Sequence, residues 1–149
     1  MSIQQTATTS FKVELLQGVH NFGPTSPDTF KVALYTAAAN IGPSTTAYTA
    51  TNELPNGNGY TTGGNTLTIS VSPTSGNNSS AVPTAYISFS NTSWANASFT
   101  CRGALIYNSS KANRSIAVLN FGADKIVSNQ TFTVTFPANT ASSAIIRSV

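Results

Sequence analysis

The sequence predicts a mainly β fold: a β-sandwich, jelly-roll-like, of about seven to eight antiparallel strands with one short N-terminal helix. Three observations lead there. Apolar and polar residues alternate at period two in several short segments, as along a strand with one face on a core. Clusters of Gly, Asn, Pro and Ser punctuate those segments at short intervals, as turns between antiparallel strands do. A single stretch, near the N-terminus, carries apolar residues at helical spacing. A chain of 149 residues fits one domain that can bury a core without metals or disulfides, and the sequence carries no fixed-period repeat of the propeller or solenoid kind.

Taken in order, Met1 to Thr9 are small, polar and uncharged, with Ile3 the one apolar side chain after the first residue. They predict a flexible arm, residues 1–9, ahead of a domain at 10–149. Ile3, Gln4 and Gln5 are that arm's candidate contacts with a partner. Ser10 then reads as the N-cap of a helix from Phe11 to Val19, in which Phe11, Leu15 and Val19 recur four apart and Glu14 falls on the exposed face. Gly18, Gly23-Pro24 and Pro27 supply its stop signals.

Phe30, Val32 and Leu34 open the strand pattern, followed by Leu67, Ile69 and Val71, by Ile87 with Phe89, and by Phe132, Val134 and Phe136. Ala104–Tyr107 and Ile116–Phe121 are more continuously apolar, which predicts strands covered on both faces, and Ala144–Val149 reads as a closing strand. The turn-rich intervals are Ile41–Thr51, Asn56–Gly59, Gly63-Gly64 and Ser72–Thr84. The two larger loops, Ile41–Thr51 and Ser72–Thr84, are expected to stand off the core, mobile or held by a partner.

Charge is scarce. Only 7% of residues are charged, 7 basic and 4 acidic, for a net +3, against roughly 25% in ordinary soluble domains. Ser, Thr and Asn, at 20, 22 and 15 copies, supply the polarity instead. One histidine, His20, and four acids, Glu14, Asp28, Glu53 and Asp124, leave little for acid–base chemistry. No Gly-x-Ser-x-Gly elbow accompanies His20, and a Gly/Pro loop separates it from Asp28. A glycosidase needs two facing carboxylates, whereas Glu53 and Asp124 read as loop residues and all four acids as solvated or lightly paired. Neither a Cys pair, a His pair nor an acid-rich loop offers a metal site. The expectation is therefore no enzyme, no cofactor and no metal.

The basic residues are spread out, with Lys111 to Arg114 the nearest to a cluster, so no nucleic-acid stripe is expected. No apolar run approaches the ~18 residues of a membrane span, and no signal-like segment opens the chain, which predicts synthesis in a cytoplasm. Cys101 alternates with polar neighbours and reads as a buried, inert thiol. Trp94 lies between two strands, as a ring plugging the sandwich end or as a platform for a sugar face. Tyr35, Tyr86 and Tyr107 fall in strands. Tyr48 and Tyr60 fall in loops and, with Trp94, are the candidate loop contacts.

The stretches FKVELLQGVHNF (11–22), DTFKVALY (28–35) and NGYTTGG (58–64), with Trp94–Ala97, Arg102–Asn108 and Ala117–Gly122, resemble a family of small structural proteins of tailed bacteriophages over roughly residues 11 to 149. The resemblance implies a non-enzymatic virion component, a capsid decoration (cement) protein made in the host bacterial cytoplasm. Such a protein binds the outside of the assembled head and stabilises the lattice of the major capsid protein. Shell symmetry favours a homo-oligomer, a trimer at local three-fold positions first and a dimer second. The alternatives are a tail or head–tail junction component, or a virion-surface carbohydrate-binding module using Trp94, Tyr48 and Tyr60.

Overall fold

A computed structural model describes residues 2–149; Met1, the first residue of the expected arm, lies outside the described residues. The elements are β1 (Thr6–Ala7), α1 (Thr9–Leu16), β2 (Phe30–Tyr35), β3 (Asn65–Thr66), β4 (Ile69–Asn77), β5 (Pro83–Phe89), β6 (Thr92–Asn108), β7 (Arg114–Val134) and β8 (Ile146–Ser148). They form the expected β-sandwich: a five-stranded sheet, β1-β7-β6-β2-β3, faces a three-stranded sheet, β4-β5-β8. Every strand pair is antiparallel.

The apolar alternation marks where the sheets meet. Val32 and Leu34 of β2, Ala104 and Ile106 of β6, and Ile87 and Phe89 of β5 share one core, with Phe11, Phe22 and Phe30 closing one end. The Phe22 and Phe30 rings stack with centroids 4.3 Å apart. The opposite face of the larger sheet is buried too: Ala33, Tyr35, Leu105 and Tyr107 lie beneath Ile3, Ala39, Ile41 and Tyr48. That second cover explains why Ala104–Tyr107 read as continuously apolar. It also corrects the expectation for Ile41–Thr51, which packs on the sheet instead of standing off it.

The first residues are likewise not a free arm. Gln4 N–H donates to the Ile41 carbonyl (2.9 Å) and Ile41 N–H to the Ser2 carbonyl (3.1 Å), while Asn120 Nδ2 donates to the Ile3 carbonyl (2.8 Å). Thr6 and Ala7 pair with Val118 and Ala117. The physical reason is a niche at Gly103, where a Cβ would stand 2.8 Å from Ile3 Cγ2 and 2.5 Å from the Leu119 carbonyl oxygen. Ile3 fills it and is buried; Gln4 and Gln5 point outward. Ile3→Ala is therefore expected to destabilise the fold by about 2–5 kcal/mol, read as a lower urea midpoint; a change below about 0.5 kcal/mol would show that the docking contributes nothing.

The helix starts two residues earlier than expected, at Thr9, and ends three residues earlier, at Leu16. Thr8, with φ −67° and ψ 150°, is the N-cap, and its Oγ accepts from Phe11 N–H, so Ser10 lies inside the helix. At the other end Gly18 takes φ 69°. Its N–H donates to the Leu15 carbonyl and Val19 N–H to the Glu14 carbonyl, which is the Schellman closure that a glycine in the left-handed region permits.

Two strand expectations change. Ser72–Thr84 forms most of a hairpin, β4 and β5, whose turn is held by Asn78 Oδ1 accepting from Ser80 and Val82 N–H. The register shifts between Ile69 and Val71 and between Val71 and Thr74, and beyond Val71 this edge strand, with little apolar burial and an internal Pro73, has no period-two signal to read. Leu67–Val71, expected as one strand, begins as a crossing: Leu67-Thr68 carries the chain from β3 in the larger sheet to β4 in the smaller, and only Ile69–Val71 are in a strand. Conversely, Ile116–Phe121 and Phe132–Val134 belong to one strand, β7, of 21 residues. From Asn120 to Lys125 it takes five steps where β6 takes two, from Gly103 to Cys101. That bulge breaks the alternation and hides the continuity.

Candidate functional site

Residues 36–64 contain one charged side chain, Glu53, and the fold buries it. Its carboxylate accepts from Tyr48 OH (2.5 Å), Tyr60 OH (2.7 Å) and Gly63 N–H (2.6 Å). Tyr60 OH also accepts from Leu34 N–H of β2 (2.9 Å), and Tyr107 OH of β6 donates to the Gly63 carbonyl (2.7 Å). One carboxylate thus ties the long excursion between β2 and β3 to the sheet beneath it. Its three donors fill most of the roughly four acceptor sites of a carboxylate.

Glu14 forms a second network and is not on an exposed helix face: it is buried. Its Oε1 accepts from Arg114 Nη1 (2.6 Å) and its Oε2 faces His20 Nε2 (2.7 Å). Asn108 Nδ2 donates to Asp28 Oδ2 (2.8 Å) and faces His20 Nδ1 (2.9 Å). That amide orientation makes Nδ1 the acceptor and leaves the ring proton on Nε2, donated to Glu14. Both ring nitrogens are engaged, so the imidazole holds the helix to β6 and offers no free base, while Arg114 ties the same carboxylate to β7. Burial alone would raise the Asp28 carboxyl, but hydrogen bonds from Asn21 N–H and Asn108, with the Lys111 charge, hold it below the usual range. Asp124, by contrast, is an exposed partner of Arg102 (2.8 Å).

The three expected loop contacts separate. Trp94 and Tyr60 are buried, 4% and 3% exposed, with rings 6.1 Å apart and Phe132 and Phe99 around them. Trp94 plugs the sandwich and presents no face to a sugar. Tyr48 keeps some exposure but stacks on Tyr107 at 4.7 Å. The physical reason is that Glu53 gives the Tyr48 and Tyr60 hydroxyls an acceptor, and Phe99 and Phe132 of the β6–β7 ribbon give Tyr60 and Trp94 an apolar seat, which a loop in isolation lacks. Glu53 itself escaped the sequence reading; the one signal available was a lone acid between two tyrosines in an otherwise uncharged segment.

Cys101 is buried as expected. Burial pushes its thiol up to about 12, with Asp124 adding to the effect and Lys125 opposing it. Burial and the Glu53 charge push Tyr107 up to about 12, and burial raises Tyr35, Tyr48 and Tyr60 as well. On unfolding these groups release protons at lower pH than in the fold, so their contribution is complete below pH about 9 and is lost as pH rises towards about 12. Urea midpoints are expected to hold steady from pH about 7 to 9 and then fall by pH about 11. A midpoint unchanged to that pH would mean these side chains ionise as freely folded as unfolded.

Among the described residues, no three His, Cys, Asp or Glu side chains gather as metal ligands do, and no helix is long and apolar enough to cross a membrane. No protein-family model, curated protein or solved structure matches the chain. Outward, the surface carries Ser, Thr and Asn along β4 and the distal part of β7, interrupted there by Ile126, 79% exposed, and Leu16 at the end of the helix is 91% exposed.

Proposed function

We propose that the chain is a virion structural protein of a tailed phage, a decoration protein that sits on the outer surface of the head and reinforces the lattice of the major capsid protein. The carrying observation is where the reactive side chains lie. Glu14, Glu53, His20 and Cys101 are all enclosed in the fold, leaving a surface of hydroxyls, amides, apolar patches and a few scattered charges. Such a surface suits extended contact with other proteins, where hydrogen bonds and apolar area act together. The resemblance of residues 11–149 to small phage structural proteins supports the same reading. A symmetric shell favours attachment as a trimer, with a dimer as the second choice.

The reading is tested by mixing purified protein with heads that lack it. Co-sedimentation is expected to saturate at a fixed ratio to the major capsid protein and to raise the temperature at which heads release their DNA. Absence of binding to heads, with binding to tails instead, would move the protein to the tail or the head–tail junction.

A further inference from the structure

The sandwich is open along one side. There β1 covers only Ala117 and Val118 of β7, and β8 pairs with β5 alone, leaving its other edge without a strand. Between these edges run three hollows of about 340, 260 and 320 Å³. Ile145 lines all three, Leu119 joins the first to the second, and Ala7 joins the second to the third. They form one continuous groove with an apolar floor.

The charged side chains of the groove have one sign. Lys125 lines its first hollow, and Lys12 and Arg147 line its third; no acidic side chain lines any of them. None of the three cations has a carboxylate partner, because the salt bridges among the described residues use Arg102, Lys111, Arg114 and His20. Of the four unpaired basic residues, only Lys31 on β2 lies elsewhere.

We propose that this groove is the docking site for an extended segment of another protein in which carboxylates alternate with apolar side chains, added as a strand along the free edge of β8. An unpaired edge supplies backbone donors and acceptors to such a segment, the apolar floor takes alternate side chains, and the cations at both ends select acidic ones. A second copy of this chain is a poor occupant. It has four acidic side chains, of which Glu14 and Glu53 are buried, Asp28 is bonded to Asn21 and Asn108, and Asp124 is paired with Arg102. A copy would bring cations to cations. The inference holds whichever particle carries the chain, and its failure would leave the decoration reading standing.

The test uses the full chain and a displayed library of random nine-residue peptides. Enriched peptides are expected to alternate apolar residues with at least two acids and to slow amide exchange at residues 146–148. Lys12, Lys125 and Arg147 are exposed, so the triple variant Lys12→Glu, Lys125→Glu, Arg147→Glu is expected to keep the wild-type melting profile. It should bind the enriched peptides at least about tenfold more weakly and gain affinity for versions in which lysine replaces each acid. The proposal is overturned if no peptide is enriched, if enriched peptides lack acids, if charge reversal leaves affinity unchanged, or if the protein alone self-associates through the groove.

Discussion

Replacing Glu53 by alanine is expected to lower stability by about 2–6 kcal/mol, a fall of roughly 4–24 °C in Tm for a domain of this size. The side chain accepts three hydrogen bonds at 2.5–2.7 Å, and two of its donors, Tyr60 OH and Gly63 N–H, would be left with no acceptor in a water-poor site. Each stranded donor costs about 1–3 kcal/mol. Glu53→Gln should lie between alanine and the wild type, because it keeps one carbonyl oxygen and turns an NH₂ towards a hydroxyl. Fluorescence of Trp94, whose ring lies 6.1 Å from that of Tyr60, reports the loss directly during urea unfolding. A cost under about 1 kcal/mol for the alanine variant would mean that the loop is held by its apolar contacts alone.

Gly64→Ala is expected to be the most damaging single methyl in the molecule, on the order of 4 kcal/mol or more. Gly64 takes φ 72°, and a Cβ there would overlap the Val32 carbonyl of the neighbouring strand. Neither side is a flexible side chain, so relief would require parting β2 from the turn before β3. Gly18 provides the control, since it has nearly the same φ, 69°, with nothing within 4 Å of its added Cβ. Gly18→Ala should carry only the conformational cost, about 1–2 kcal/mol. Equal effects at the two sites, measured by urea unfolding, would refute the close-approach argument.

The sandwich was legible because its central strands obey period two where they cross the core: Phe30, Val32 and Leu34, and Ile87 with Phe89, lie buried as the alternation requires. Strands lost the signal wherever something other than the second sheet determined burial. Residues 103–107 are covered on both faces, β4 lies at an edge with a bulged register, and β7 changes register within its length. The N-terminal segment misled for a related reason. Its composition is that of a free tail, and what docks it is a niche at Gly103 about a hundred residues away.

The polar networks were harder still to foresee. A helical wheel places Glu14 by its neighbours on the helix, yet its burial follows from His20 and Arg114, whose own positions come from a loop and a distant hairpin. The sequence allows Trp94 as a plug or as a sugar platform, and the seat formed by Tyr60, Phe99 and Phe132 selects the plug. Charge scarcity was the most informative feature of the composition. With four acids, two of them buried, few carboxylates remain to neutralise the surface, and the cations around the groove stay unmatched.

The number of copies of this chain per purified particle, by quantitative densitometry against the major capsid protein, tests the decoration reading most directly. A ratio of one to one, or a simple fraction of it, is the expected result, since a cement protein repeats with the lattice it reinforces. A ratio of a few per hundred would contradict it and assign the protein to the tail or the portal vertex.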